Sequence, residues 1–321
     1  MANFDVFNGD ADGICSLHQL RLSEPRDSIL ITGVKRDIGL LKKVHASAGD
    51  NIVVLDISLD KNREALQNLL EQGTQITYVD HHFAGDVPAH PALRVVIDPA
   101  PEVCTSLLVD RMLHGRFRIW MVVAAFGDNL PACAMRWAAP LSLSSERLGL
   151  LRELGDCLNY NAYGDTVDDL FFHPAELYRR VHAYSDPFDF VKKETIFATL
   201  KHGYTADMAM AQAKQPEQAY SGGSVYILPD QSWSRRVSGA FGNYLAQAEP
   251  NIAHAVLTRK PDGGYGVSVR APRVSPTGAD DLCYQFETGG GRKSAAGVNH
   301  LPESDLARFL GRFDAAFQPS F

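Results

Sequence analysis

Aspartates stand just beyond apolar runs at four places in this chain. Asp10 and Asp12 follow FDVF in the segment N-G-D-A-D-G, and Asp56 follows IVVL. Asp80 follows ITYV and is joined by His81 and His82, and Asp128 follows the helical run VVAAF. Carboxylates brought together repel and raise each other's pKa, and a divalent cation relieves that repulsion. A set of Asp oxygens with one or two imidazoles suits Mn2+ or Mg2+ better than a thiolate-preferring metal. A turn between Asp10 and Asp12 would re-aim them, so the two could serve different ions. One carboxylate bridging two ions about 3.5–4 Å apart would complete a binuclear site.

Taken singly, each piece has an ordinary explanation. Asp10 or Asp12 can be a turn residue or the N-cap of a helix that follows. Asp56 can cap the next helix, as Ser58 or Asp60 also could. A His pair is commonly a surface turn, and Asp128 before Asn129 and Pro131 has ordinary turn composition. Asp98, before Pro99, also ends a strand and is read as a turn residue only. Jointly, the set at successive strand ends points to metal.

The elements around these residues are strands and helices in alternation. Strands are expected at FDVF (4–7), SILITGV (28–34), NIVVL (51–55), QITYV (75–79) and LRVVI (93–97). Helices are expected over 14–22, 35–48, 61–72, 103–113 and 119–126. This alternation predicts βαβ units and a parallel sheet, and the apolar strands IVVL and LRVVI predict a sheet covered on both faces. In such a sheet all strands end along one edge, where ligands bind, so three of the four segments should converge whatever the strand order. Asp128 joins them if its helix ends at that edge.

Residues 141–220 read as a mostly helical connector, with aromatic residues that fit core packing. From 221 a second, smaller α/β pattern begins: strands at 225–228, 253–259 and 266–270, a helix over 237–248, a Gly-rich segment and a terminal helix over 304–317. The expected division is 1–140, 141–220 and 221–321.

Composition bounds the function. The chain has 321 residues, 45% of them hydrophobic and 21% charged, which fits a folded protein of about two domains. No apolar run is long enough for a membrane span, no secretory signal is visible, and five scattered cysteines without a CxxC pair fit a reducing cytoplasm. The net charge is −7. Residues 1–130 carry 12 Lys and Arg against 17 Asp and Glu, whereas residues 221–321 carry 10 against 9. An acidic first part suits a carboxylate cluster holding cations and does not suit unaided binding of a long polyanion.

D-A-D-G at 10–13, Asp56, the tripeptide D-H-H at 80–82 and Asp128 together resemble the DHH phosphoesterase family. S-V-R at 268–270 and G-G-G-R-K-S-A-A-G at 289–297 are similar to the associated DHHA1 domain, whose signature is GGGHxxAAG. The resemblance implies a parallel-sheet DHH domain followed by a DHHA1-like substrate-binding domain. It also implies a phosphoester hydrolase using two metal ions, usually Mn2+, with Mg2+ as the alternative. By position, Asp10 and Asp56 resemble ligands of the first ion; Asp12, Asp56, His81 and Asp128 resemble ligands of the second. Asn8 and Asp80 complete the candidate metal set, and Asp80, His81 and His82 form the candidate catalytic tripeptide. Arg270, Gly289, Gly290, Gly291 and Arg292 resemble the elements that hold substrate.

Two positions depart from the pattern. Asn8 stands where the family often has His or Asp, and Arg292 stands where the signature has His. Arg keeps a forked, positive donor for phosphate but gives up a proton-transfer group. The expected substrate is a nucleotide or short oligonucleotide, and a homodimer is compatible with the sequence. Two alternatives stand beside this: a RecJ-type single-strand exonuclease, and a degenerate nucleotide-binding or nucleic-acid-binding module with a weakened first metal site.

Overall fold

Buried β-branched and aromatic residues build the first sheet. Its strands are β1 (Asn3–Phe7), β2 (Ile29–Ile31), β3 (Asn51–Leu55), β4 (Gln75–Asp80) and β5 (Leu93–Ile97), all parallel, in the order β2-β1-β3-β4-β5. β1 and β3 are buried along nearly their whole length, which fits a sheet covered on both faces. LRVVI is β5, an edge strand and only half-buried. The computed structural model describes residues 1–318, and the chain divides into two compact units, Met1–His202 and Gly203–Phe321.

In the first unit the helices are α1 (Ala11–Ser23), α2 (Leu59–Glu71), α3 (Thr105–Met112), α4 (Arg118–Gly127), α5 (Pro131–Ala138), α6 (Ser145–Tyr160), α7 (Pro174–His182) and α8 (Pro187–Lys193). Helix α9 (Thr195–Gln212) carries the chain into the second unit. One side of the sheet packs on α2 through Ile52, Val54, Leu66, Leu69 and Tyr78. Much of the expected connector, including α6, α7 and α8, is part of the first unit.

The expected helix over 35–48 does not form. Only a single 3-10 turn, Leu40–Lys43, appears there. Asn62 of α2 explains the loop: its Nδ2 donates to the Ile38 carbonyl and its Oδ1 accepts from the Leu41 N–H. These bonds satisfy backbone groups that a helix would have satisfied internally, while Leu40, Leu41 and Val44 still enter the core.

The second unit holds a six-stranded sheet: β6 (Gln218–Tyr220), β7 (Gly223–Leu228), β8 (Ala253–Arg259), β9 (Tyr265–Arg270), β10 (Gly289–Arg292) and β11 (Ala295–Leu301), in the order β10-β11-β9-β8-β7-β6. Only β7 and β8 run parallel. Helices α10 (Ser232–Ala248), α11 (Ala279–Cys283) and α12 (Leu306–Ala316) complete it. The core joins Val225, Leu257, Val267 and Val269 to Phe309 and Phe313 of α12. The Gly-rich segment contributes strand β10, which forms a hairpin with β11. No helix among the described residues is long and apolar enough to cross a membrane. All five cysteines are free and buried.

Candidate metal centre

Strand register brings the first three segments together. Phe7 lies beside Leu55, and Leu55 beside Val79, so β1, β3 and β4 end level with one another. Asp10 then caps α1, its Oδ1 accepting from the Asp12 and Gly13 N–H groups at 3.0 Å each. Asp56 leaves β3 with φ +61°, in the left-handed region that few non-glycine residues adopt. Its N–H donates to the Val79 carbonyl, which fixes that turn against β4. Such a backbone outlier beside a cluster of titratable groups is where functional sites store strain.

The start of α3 grips two of these carboxylates. The Thr105 and Ser106 N–H groups donate to the two oxygens of Asp12 at 2.7 and 2.8 Å. The Thr105 hydroxyl donates to Asp56 Oδ1 at 2.9 Å. The otherwise unpaired N–H groups of a helix N-terminus suit an anion. Asp128 is the C-cap of α4, so the helix does end at this edge. Gly127 just before it is required by space: a Cβ there would lie 2.4 Å from the Ala11 Cβ and 2.7 Å from the Gly155 carbonyl oxygen.

Among the described residues, two sets of side chains are close enough to hold an ion: Asp12, His81 and Asp128, and Asp56, His81 and His82. His81 belongs to both. Its Nδ1 lies 2.7 Å from the Val103 carbonyl, which can only accept, so the ring proton sits on Nδ1. In the neutral ring the Nε2 lone pair then faces Asp56 Oδ1 at 3.5 Å and Asp128 Oδ2 at 3.8 Å. A backbone carbonyl that fixes the tautomer of a ligating imidazole is the usual support of a metal-binding His. The donor set of carboxylates and one imidazole fits a divalent ion of the Mn2+ or Mg2+ type.

Asp80 stands in neither set. It is fully buried, and its Oδ1 accepts from His82 Nδ1 at 2.7 Å. His82 is the most exposed of the group, with 45% of its side chain accessible. Asp98, as expected, serves its own turn, accepting from the Ala100 N–H and pairing with Arg111.

Two residues that the sequence pattern did not point to enter the cluster. Lys35 places its Nζ 2.6 Å from Asp10 Oδ2, 3.2 Å from Asp128 Oδ1 and 3.2 Å from Asn159 Oδ1. Lys35 lies in the loop after β2, at the same edge of the sheet, and Asn159 is near the end of α6. A search for carboxylates and imidazoles passes over both. Asn8 is buried; its Nδ2 donates to the Lys35 carbonyl, and its Oδ1 has no partner among the described residues.

The charges divide accordingly. Burial alone would push Asp10 up, but the Lys35 charge and hydrogen bond outweigh it and hold Asp10 below the usual carboxylate range. Burial, then the Asp128 charge, pushes Asp12 up to about 6. Burial and the charges of Asp10, Asp12 and Asp128 push Asp56 well up. For Lys35, burial opposes the charged form, and Asp10, Tyr163 and Asp128 together overcome it, so its pKa rises. Burial also opposes the charged form of His82, but the Asp80 hydrogen bond and charge raise it.

In the second unit the candidate substrate residues have local partners. Arg270 donates to Asn243 Oδ1 at 2.7 Å, Ser268 Oγ at 2.9 Å, and the Val269 and Gly239 carbonyls. It ties β9 to α10. Gly289 and Gly291 lie where side chains would collide: a Cβ on Gly291, at φ +143°, would come 2.4 Å from the Ala296 Cα. Gly290 is half-buried beside them, and Arg292, opposite Ala295, is exposed.

No family model matches the chain, and no curated protein matches it. Solved structures do. The fold is that of the RecJ-type DHH proteins. RecJ from Thermus thermophilus in complex with Mn2+ superposes with a TM-score of 0.62 at 18% identity, over 98% of this chain and 51% of that one. The Mg2+ complex from the same organism gives 0.53 at 16% identity, over 98% and 49%. A manganese-bound exonuclease RecJ gives 0.55 at 18% identity, over 98% and 89%. The chain therefore spans about half the length of the Thermus protein.

Proposed function

We propose that the chain is a divalent-metal-dependent phosphoesterase that hydrolyses a phosphoester or phosphodiester bond of a nucleotide or short oligonucleotide. One observation carries this: Asp12, Asp56, His81 and Asp128, distant in sequence, gather at one sheet edge with the His81 lone pair turned toward the carboxylates. The likeness in fold to RecJ structures solved with Mn2+ and Mg2+ supports it.

Asp12, His81 and Asp128 would hold the ion, with Asp56 beside His81. When bound, a divalent ion supplies Lewis acidity toward a phosphoryl oxygen and acidifies water. The chain's own groups do the rest. The buried Asp80 orients His82 through Nδ1 and favours its cationic form. His82 can then donate from its other nitrogen to a phosphate oxygen as charge develops there. The N-terminus of α3 keeps Asp12 in place with two N–H bonds. The forked Arg270 and Arg292 are proposed to steady the anionic part of the substrate.

The test is hydrolysis of dinucleotides, short RNA and DNA, adenosine bisphosphate, cyclic dinucleotides and pyrophosphate, with Mn2+, Mg2+ or EDTA. Mn2+-dependent release of nucleotide or phosphate, lost in Asp12→Ala and His81→Ala, is the expected result. End-wise cleavage of long single strands would make the chain a RecJ-type exonuclease. Binding without turnover on every substrate would make it a nucleotide-binding module.

A further inference from the structure

The geometry points to a centre that takes one divalent ion, with the Lys35 ammonium fixed where the family resemblance implies the other. This deepens the proposed function and rests on its metal site. An ammonium has three donors. Lys35 has three oxygen partners: Asp10 Oδ2, Asp128 Oδ1 and Asn159 Oδ1. Its backbone N–H donates to the Ala162 carbonyl at 2.9 Å, which anchors the loop that delivers it.

Of the residues implied for a first ion, Asp10 and Asn8 do not fit one, and among the described residues Asp56 groups only with His81 and His82, in a set that shares His81 with the other position. Asp10 has both oxygens engaged, Oδ1 by the start of α1 and Oδ2 by Lys35. A divalent ion would need those oxygens at about 2.0–2.6 Å, in the space the ammonium fills. Asn8 is neutral where the family often has a charged or basic ligand, so the pocket has one negative charge fewer than an Asp would give. Asn159 adds a second neutral oxygen, which suits an ammonium donor better than a doubly charged ion.

The second position is different. Asp12, His81 and Asp128 face one another, and among the described residues no Lys or Arg is bonded to Asp12 or His81. Asp128 joins the two positions, giving Oδ1 to Lys35 and Oδ2 to the His81 side. It is the carboxylate shared between a built-in cation and a bound one.

Counting ions tests this without reference to activity. The purified chain is dialysed against excess Mn2+, its metal content is measured by mass spectrometry, and its electron paramagnetic resonance spectrum is recorded. One Mn2+ per chain with an isolated-ion spectrum is expected. Lys35→Met, and Lys35→Gln should the first variant not fold, are expected to take up a second ion at least about tenfold more tightly than wild type, since a positive charge beside the site is gone. Adding Asn8→Asp should tighten it further. Two ions with an exchange-coupled spectrum in the wild-type protein would overturn the proposal. So would Lys35 variants that fold yet bind Mn2+ just as wild type does. Wild type that binds no Mn2+ would overturn the metal centre itself, a result distinct from either.

Discussion

At one end of the acidic cluster Asp10 meets a lysine at 2.6 Å; at the other, Asp12 meets Asp128, His81 and two backbone N–H groups but, among the described residues, no fixed cation. Both carboxylates are buried. Asp10 is held below its ordinary pKa and Asp12 is pushed up to about 6. The same burial thus has opposite outcomes, decided by whether a positive charge is built in. The half that lacks one is the half with an imidazole turned toward it, where an added ion relieves most repulsion.

Removing the built-in cation should have the largest effect on that contrast. Lys35→Met leaves the buried Asp10 and the half-buried Asp128 without their partner, and breaking a buried pair costs about 3–5 kcal/mol. Urea denaturation in EDTA should show that loss, and Mn2+ should restore part of it. An unchanged midpoint would mean that the pair does not hold the cluster together.

The pH dependence of the other half comes next. Asp12 has a folded pKa raised above its unfolded value, so its contribution is present below pH 4 and is lost as pH rises toward 6. At about 1.4 kcal/mol per unit, the metal-free protein loses roughly 3 kcal/mol across that range from this group. Asp12→Asn should remove that slope and abolish stabilisation by Mn2+. His18, buried against His182 with its pKa lowered to about 3, acts in the opposite sense: its neutral form is favoured, and stability falls as pH drops below about 6.5. The test is therefore the difference between wild type and Asp12→Asn at each pH. A difference that does not change with pH contradicts the account.

A smaller effect is expected from packing behind the site. A Cβ on Gly155 would lie 2.3 Å from the Val123 carbonyl oxygen, so Gly155→Ala must push α6 from α4. A loss of about 1–3 kcal/mol is expected, together with weaker Mn2+ binding if the shift reaches Asp128. The smallest effect is in the second unit. Arg270→Gln removes bonds to Asn243 and Ser268 at a partly exposed position and should cost about 1 kcal/mol. A rise in KM larger than that stability loss accounts for would support its role at the substrate.

Much of this site was legible in the sequence because parallel strands must end at one edge. Asp12, Asp56 and His81 needed only that rule; Asp128 also needed α4 to end at the same edge. Lys35 was hidden for two reasons. Its segment, with Leu40, Leu41 and Val44, has the apolar spacing of a helix, yet Asn62 holds it as a loop through bonds that no local pattern shows. It is also a cation where the pattern sought anions. Asn159 lies 124 residues from Lys35 in the chain, and only the packing of α6 brings them together. The glycines at 289–291 were conspicuous, but their reason includes a close hairpin, visible only once β11 is placed beside them.

Diffraction at the manganese absorption edge, from crystals grown with Mn2+, tests the central claim most directly. The account predicts an anomalous peak within about 2.0–2.6 Å of oxygens of Asp12 and Asp128 and of His81 Nε2. A peak elsewhere, or none beside these three side chains at saturating Mn2+, would contradict it.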